Sequence, residues 1–300
     1  MNTETASKRA LTIAAWVAML IVSDLPDILL TWLGESIPPW MVWAKVGFLA
    51  LFLVMTRVTP LLRALWQYAL ILLTLFLALG LTNLLRNTAW FQSNFNYPGV
   101  PYFKGFAAVM ALDILVALTM IVVLCLIKRR RQAFFLTKGQ MDAPIEPIRW
   151  LGIKPGESWK TFTWIFAGVA GLAVFIPTIL SIAPSGDTIL RALPLFPAAI
   201  FFAAVNAFTE ETYFRASILS TLHETIGKNQ TLLLTLTFFG LSHWLYGSPA
   251  GIVGFLMTGF LAWLMGRSML ETKGMLSPWI IHFIPDVVVF MSYALLFVQS

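Results

Sequence analysis

The chain has 300 residues, 59% of them apolar and only 11% charged, with a net charge of +6. Soluble domains carry about a quarter charged residues, and one water-soluble core of this size cannot hide so much apolar surface. A soluble enzyme or carrier is excluded, and so is a nucleic-acid-binding domain, because the lysines and arginines are scattered between apolar runs.

Nine apolar segments follow in chain order, at about 10–33, 40–56, 61–85, 105–127, 161–182, 192–222, 231–246, 250–266 and 275–298. Most have the length needed to cross about 30 Å of hydrocarbon. Lipid leaves every backbone polar group to be satisfied internally, and the runs lack the alternation of a barrel. The expected fold is therefore all-α, a polytopic transmembrane helix bundle of about nine spans. The first segment follows Lys8 and Arg9 without a small-residue cleavage site and is expected to remain as a span. Cys125, the sole cysteine, excludes an intrachain disulfide and reads as a buried structural residue.

The polar stretch 128–160 divides the chain. It holds the Lys128–Arg131 cluster with Pro144, Pro147 and Pro155, and reads as a basic cytoplasmic linker. Before it, residues 1–127 form an N-terminal membrane region of about four helices. After it, residues 161–300 form a second bundle. Threading nine spans with the N-terminus inside puts fifteen lysines and arginines in the inner segments. Only Arg86, Lys104 and Arg191 then fall outside. That asymmetry predicts a cytoplasmic N-terminus and an external C-terminus.

Ionisable side chains within a bilayer are costly and are usually functional or tightly paired. Segment six carries Asn206, Glu210, Glu211 and Arg215; segment seven His243; segment nine His282 and Asp286. On an α-helix Glu211 and Arg215 lie four apart on one face, in the favourable order for an ion pair. Glu210 lies about 100° away, on the face of Asn206, and is the freer carboxylate and the candidate general base. Segments six and seven form a hairpin turning near Gly227 and Lys228, which brings Glu210 and His243 to one level, expected in the inner half of the membrane. Gly240 permits close helix approach. His282 and Asp286 share a face, so the carboxylate can fix the ring, and Pro285 is expected to disturb the helix there. Asp24, Asp27 and Asp113 in the N-terminal half read as structural.

These residues resemble the three motifs of the CPBP (CAAX protease and bacteriocin-processing, or Abi) family of intramembrane proteases. Glu-Glu-x-x-x-Arg is Glu210 to Arg215, Phe-x-x-x-His is Phe239 to His243, and His-x-x-x-Asn or Asp is His282 to Asp286. The resemblance spans about 150–298 and leaves the first four spans without a counterpart. It implies a hydrolase of a bacterial inner membrane that cleaves a membrane-associated protein or peptide. It also implies roles for Glu210, Glu211, Arg215, His243, His282 and Asp286. Glu210 helped by His243 would activate water, His282 supported by Asp286 would stabilise the oxyanion, and Glu211 and Arg215 would hold the helix. Asp286 stands where prenyl-protein proteases of the family carry Asn, and an ionised carboxylate cannot donate. No Ser or Cys accompanies the cluster, so no acyl-enzyme is expected. No cofactor is required in this reading; the alternative is zinc held by Glu210, His243 and His282. Two other classes remain: a non-catalytic scaffold or immunity protein, and a proton-coupled transporter.

Overall fold

The computed structural model describes residues 3–127, 130–247 and 249–299. Lys128 and Arg129 of the basic cluster lie outside the described residues. The described residues are mostly helical and form no β-strand. In order come α1 Thr3–Val22, α2 Leu25–Trp32, α3 Met41–Val58, α4 Trp66–Arg86, the short α5 Ala89–Phe95 and α6 Tyr102–Leu126. After the linker come α7 Trp159–Ile182, α8 Gly186–Ala192, α9 Phe196–Glu210 and α10 Ser217–Leu222. The last three are α11 Lys228–Tyr246, α12 Gly251–Thr272 and α13 Leu276–Gln299.

Among the described residues, seven helical stretches are long and apolar enough to cross a bilayer, or eight if α1 and α2, bent by 51°, count as one span. The remaining expected segment, the seventh, is α11, and it falls short because Lys228, Asn229, Gln230, several threonines and His243 lower its hydropathy. It nevertheless runs antiparallel along α12: Leu232 meets Gly266, Leu236 meets Gly259, and Gly240 meets Phe255. It also packs on α1, α2 and α10. A helix screened from lipid in this way does not need a continuous apolar surface.

The outer helices expose what a soluble protein would bury. Trp164, Val169, Ile176 and Leu180 of α7 and Leu256 of α12 are all more than half exposed, as expected of a lipid-facing belt. Cys125 is exposed, which corrects its expected burial. Apolar residues surround α6 on every side, so its sequence does not reveal which stripe faces lipid.

The two ends of the bundle differ. At one end Lys8 reaches the turn at Gly227, and Lys228 bonds Glu146 at 2.7 Å and Glu271 at 3.0 Å. Arg267 bonds Glu271 at 2.8 Å. The linker is fastened here: the Gln140 amide donates to Thr272, the Met275 amide donates to Thr137, and Trp159 Nε1 donates to Glu271 at 3.0 Å. Gly139 (φ +79°) and Gly274 meet backbone to backbone, so a Cβ on either would collide. The Lys228 hydrogen bond is the main influence holding the Glu146 carboxyl below its ordinary value, with the Lys228 and Arg267 charges adding to it. The other end carries the 33–40 loop, Arg86 and Tyr246.

One apolar cluster joins the two halves. Met19, Leu49, Leu72 and Met120 of the N-terminal helices pack with Tyr213, Ile218, Leu222 and Phe238. The N-terminal region thus braces the helices that carry the unusual charges.

Candidate active site

Glu210 closes α9, and residues Glu211–Ala216 continue as a π-helical turn before α10. Hydroxyls offer an account of the widening. Thr209 Oγ1 donates to the Asn206 carbonyl at 3.0 Å, Thr212 Oγ1 to Phe208 at 2.8 Å, and Ser217 Oγ to Tyr213 at 2.5 Å. Such bonds compete with the main-chain ladder and deform it, and π-turns gather at functional sites. The Tyr213 hydroxyl, from the same turn, donates to the Asp113 carbonyl on α6.

The expected Glu211–Arg215 pair forms. Arg215 Nη1 lies 2.8 Å from Glu211 Oε1, and both side chains are fully buried. Glu210 retains 25% exposure and its nearest charged partner is His282 Nε2, at 3.5 Å. Sequence geometry assumed α-helical steps through this stretch; the π-turn alters the steps and still leaves Glu210 free of the arginine.

His282 is the hub. Its Nδ1 lies 2.8 Å from Glu211 Oε1, the oxygen that also receives Arg215. Its Nε2 faces Glu210 Oε2 at 3.5 Å and Asp286 Oδ2 at 3.7 Å. The carboxylate that fixes the ring is therefore Glu211, where Asp286 had been expected. Asp286 instead accepts from Asn206 Nδ2 at 3.0 Å. Pro285 lies within an uninterrupted α13; its ring only deprives the Ile281 carbonyl of an amide partner.

His243 completes the group from α11. Its Nδ1 is 3.0 Å from the Phe239 carbonyl; a carbonyl only accepts, so Nδ1 carries the proton and Nε2 of the neutral ring keeps a lone pair. Among the described residues no hydrogen bond or ion pair joins His243 to Glu210. The Phe239 ring touches three of these groups: its centroid is 4.5 Å from that of His243 and 5.9 Å from that of His282, and Arg215 Cζ lies 3.9 Å from it. The neighbouring Gly240 lets α12 approach α11 closely, since a Cβ there would sit 2.9 Å from Phe255.

His243 lies in the last turn of α11, away from Gly227, where its carbonyl receives the Gly247 amide. His282 is the seventh residue of α13, which begins beside the linker, where the Met275 amide donates to Thr137.

Two side chains missed by sequence reasoning belong here. Asn206 was visible as the polar residue one turn before Glu210, but its partner lies eighty positions on. Phe239 was visible only as a motif position. Ser242 Oγ also comes within 3.1 Å of His243 Nδ1, so a hydroxyl does accompany the cluster. It donates to the Phe239 carbonyl at 2.8 Å, and the adjacent Nδ1 already bears a proton, so His243 cannot activate it through that nitrogen.

Glu211 Oε2 and Arg215 Nε and Nη2 are buried with no protein partner. Among the described residues no three His, Cys, Asp or Glu side chains converge as a metal site. The set considered for zinc, Glu210, His243 and His282, is not such a group.

Residues 192–288 match the family model described as type II CAAX prenyl endopeptidase Rce1-like. Over those residues the match supports the resemblance to the CPBP family. The match contains all three CPBP motifs and begins well after residue 150, where the resemblance was expected to start. Comparison with curated proteins and with solved structures gives no match. The match supports, at a coarse level, an intramembrane endopeptidase and hydrolase of the multi-pass membrane class with a membrane-associated substrate.

Proposed function

We propose that the chain hydrolyses a peptide bond of a membrane-associated protein or peptide with water activated at Glu210. The observation that carries this reading is the division of labour among the acids. Glu211 is engaged through Oε1 by Arg215 and His282, Asp286 is held by Asn206, and Glu210 alone is partly exposed without a bond closer than 3.5 Å. A carboxylate in that state is the one able to accept a proton from water. His243 Nε2, with its lone pair set by the bond of Nδ1 to the Phe239 carbonyl, is a second proton acceptor.

His282 is held from behind by Glu211 and turns Nε2 toward Glu210 and Asp286. With that nitrogen protonated it donates to the oxyanion of the tetrahedral intermediate. The leaving amine then receives the proton held by Glu210. The partnerless atoms of Glu211 and Arg215 are docking points for buried water, which an intramembrane hydrolase must admit. Each of these steps runs on the chain's own side chains, without a metal.

The family description names prenylated CAAX chains as substrates of its members; for this chain the class proposed is a membrane-associated protein or peptide. The end bearing Lys8, the linker and Lys228 is assigned to the cytoplasm of a bacterial inner membrane. A C-terminal reporter found in the cytoplasm would contradict that orientation. The reaction is tested by cleaving a membrane-reconstituted peptide in ¹⁸O-enriched water. Direct hydrolysis puts label in the new carboxyl terminus, with no covalent adduct trapped by rapid acid quench. A trapped adduct on Ser242 would overturn the mechanism.

A further inference from the structure

The N-terminal helices hold a second polar constellation that the proposed reaction does not use. At the end of the bundle remote from the linker, a cavity of about 460 Å³ is lined by Asp24, Asp27, Lys45, Asn83, Arg86 and Tyr246, among others. Lys45 Nζ bonds Asp27 Oδ2 at 2.6 Å and the Ser23 carbonyl at 2.9 Å. Arg86 Nη2 bonds Asp113 at 2.7 Å. Two buried polar atoms on this wall are left without a protein partner: Asp27 Oδ1, on a residue only 6% exposed, and Arg86 Nε. One is an acceptor and the other a donor, and leaving either desolvated and unpaired is costly.

Charge and position narrow the ligand. Arg86 is committed to Asp113 and Lys45 to Asp27, so Asp24 leaves one excess negative charge on the wall, suited to a cation. Trp32, Trp40 and Tyr246 near the mouth are 65%, 61% and 73% exposed, and Trp32 meets Trp244 edge to face at 5.6 Å. Exposed Trp and Tyr at helix ends mark the headgroup layer of a bilayer. A ligand at that level that offers N–H donors and a positive charge to the aspartates, and an acceptor oxygen to Arg86 Nε, is a zwitterionic aminophospholipid. We propose that this cavity binds a phosphoethanolamine-type headgroup, with its ammonium at Asp24 and Asp27 and its phosphate at Arg86. The site reaches the reaction centre by a short route. The Asp113 that holds Arg86 accepts Tyr213 through its carbonyl, and Tyr213 belongs to the π-turn beside Glu210.

The test uses the purified full chain in neutral detergent, titrated with phosphatidylethanolamine, phosphatidylcholine or phosphatidylglycerol, with retained lipid counted by native mass spectrometry. Choline has no N–H to donate, and phosphatidylglycerol has no ammonium. The wild type is expected to prefer phosphatidylethanolamine by at least about tenfold, the equivalent of one charge-assisted hydrogen bond. Asp24→Asn should remove most of that preference. Met41→Trp, which fills the cavity and keeps every charge, should remove it as well, so the outcome does not rest on one charge variant folding. Melting temperatures without lipid verify folding. Equal retention of the three lipids by wild type overturns the proposal, as does a preference that survives both variants. Displacement of bound lipid by a peptide with a free N-terminus, but not by its N-acetylated form, overturns it in favour of a peptide site.

Discussion

Two glutamate or aspartate to arginine pairs in this chain share the same four-residue spacing and should differ by about an order of magnitude in worth. Asp187–Arg191 on α8 has side chains 77% and 56% exposed and a 3.0 Å contact. Exposed helical pairs contribute about 0.3–0.5 kcal/mol. Glu211–Arg215 is 0% exposed on both sides, and Glu211 Oε1 also receives His282. Removing one partner of a buried pair leaves the other charged and uncompensated, at a cost of about 3–5 kcal/mol. Glu211→Gln should therefore destabilise by about that much, Asp187→Asn by at most about 0.5 kcal/mol. The double variant Glu211→Gln, Arg215→Met should cost clearly less than the sum of its singles, with a coupling of about 1–3 kcal/mol. Reversible unfolding in mixed micelles measures each of these proteins. Equal costs for Glu211→Gln and Asp187→Asn, or strict additivity in the double variant, would refute the view that Glu211 is held in a buried network.

Other outcomes follow from individual contacts. Asn206→Leu removes the amide that holds Asp286 at 3.0 Å; cleavage should fall about tenfold or more, while Asn206→Gln recovers part of it, as a kcat series would show. Glu146 has its carboxyl held below its ordinary value of 4.5, first by the Lys228 hydrogen bond. Its contribution to the linker clamp is therefore complete above that value and disappears as pH falls through the lowered one. Melting curves against pH should lose this acid-side component in Lys228→Met. Gly240→Ala places a methyl 2.9 Å from both the Phe255 ring and its carbonyl, and overpacking of that kind costs about 1–3 kcal/mol. An unchanged melting temperature would show that α11 and α12 are less tightly apposed than the structure has them.

Much of the fold was legible because lipid imposes simple rules. Helical runs, the placement of basic residues and the costly charges of segments six, seven and nine all follow from hydropathy. What stayed hidden depends on contacts across the bundle. Hydropathy could not foresee that α11 is screened from lipid by its neighbours, nor which side of α6 bears Cys125. The i,i+4 rule found Glu211–Arg215, yet the same rule assigned His282 to Asp286. Spacing along one helix cannot show that the Nδ1 edge of the ring turns toward a different helix, nor that Asn206 takes up Asp286. The linker read as a plain connector because its clamp is made of single residues, Glu146, Trp159 and Gly139, whose partners Lys228, Glu271, Arg267 and Gly274 lie far on in the chain.

Whether Glu210 activates water for peptide hydrolysis is decided by one comparison. Purified wild type and Glu210→Gln are assayed in detergent for cleavage of a quenched-fluorescent peptide library, with and without chelator. Because Glu210 is partly exposed and makes no close bond, the variant should fold with an unchanged melting temperature and lose cleavage by at least about a hundredfold, while chelator leaves the wild type active. Cleavage retained in Glu210→Gln, or lost from the wild type in chelator, would contradict that role for Glu210.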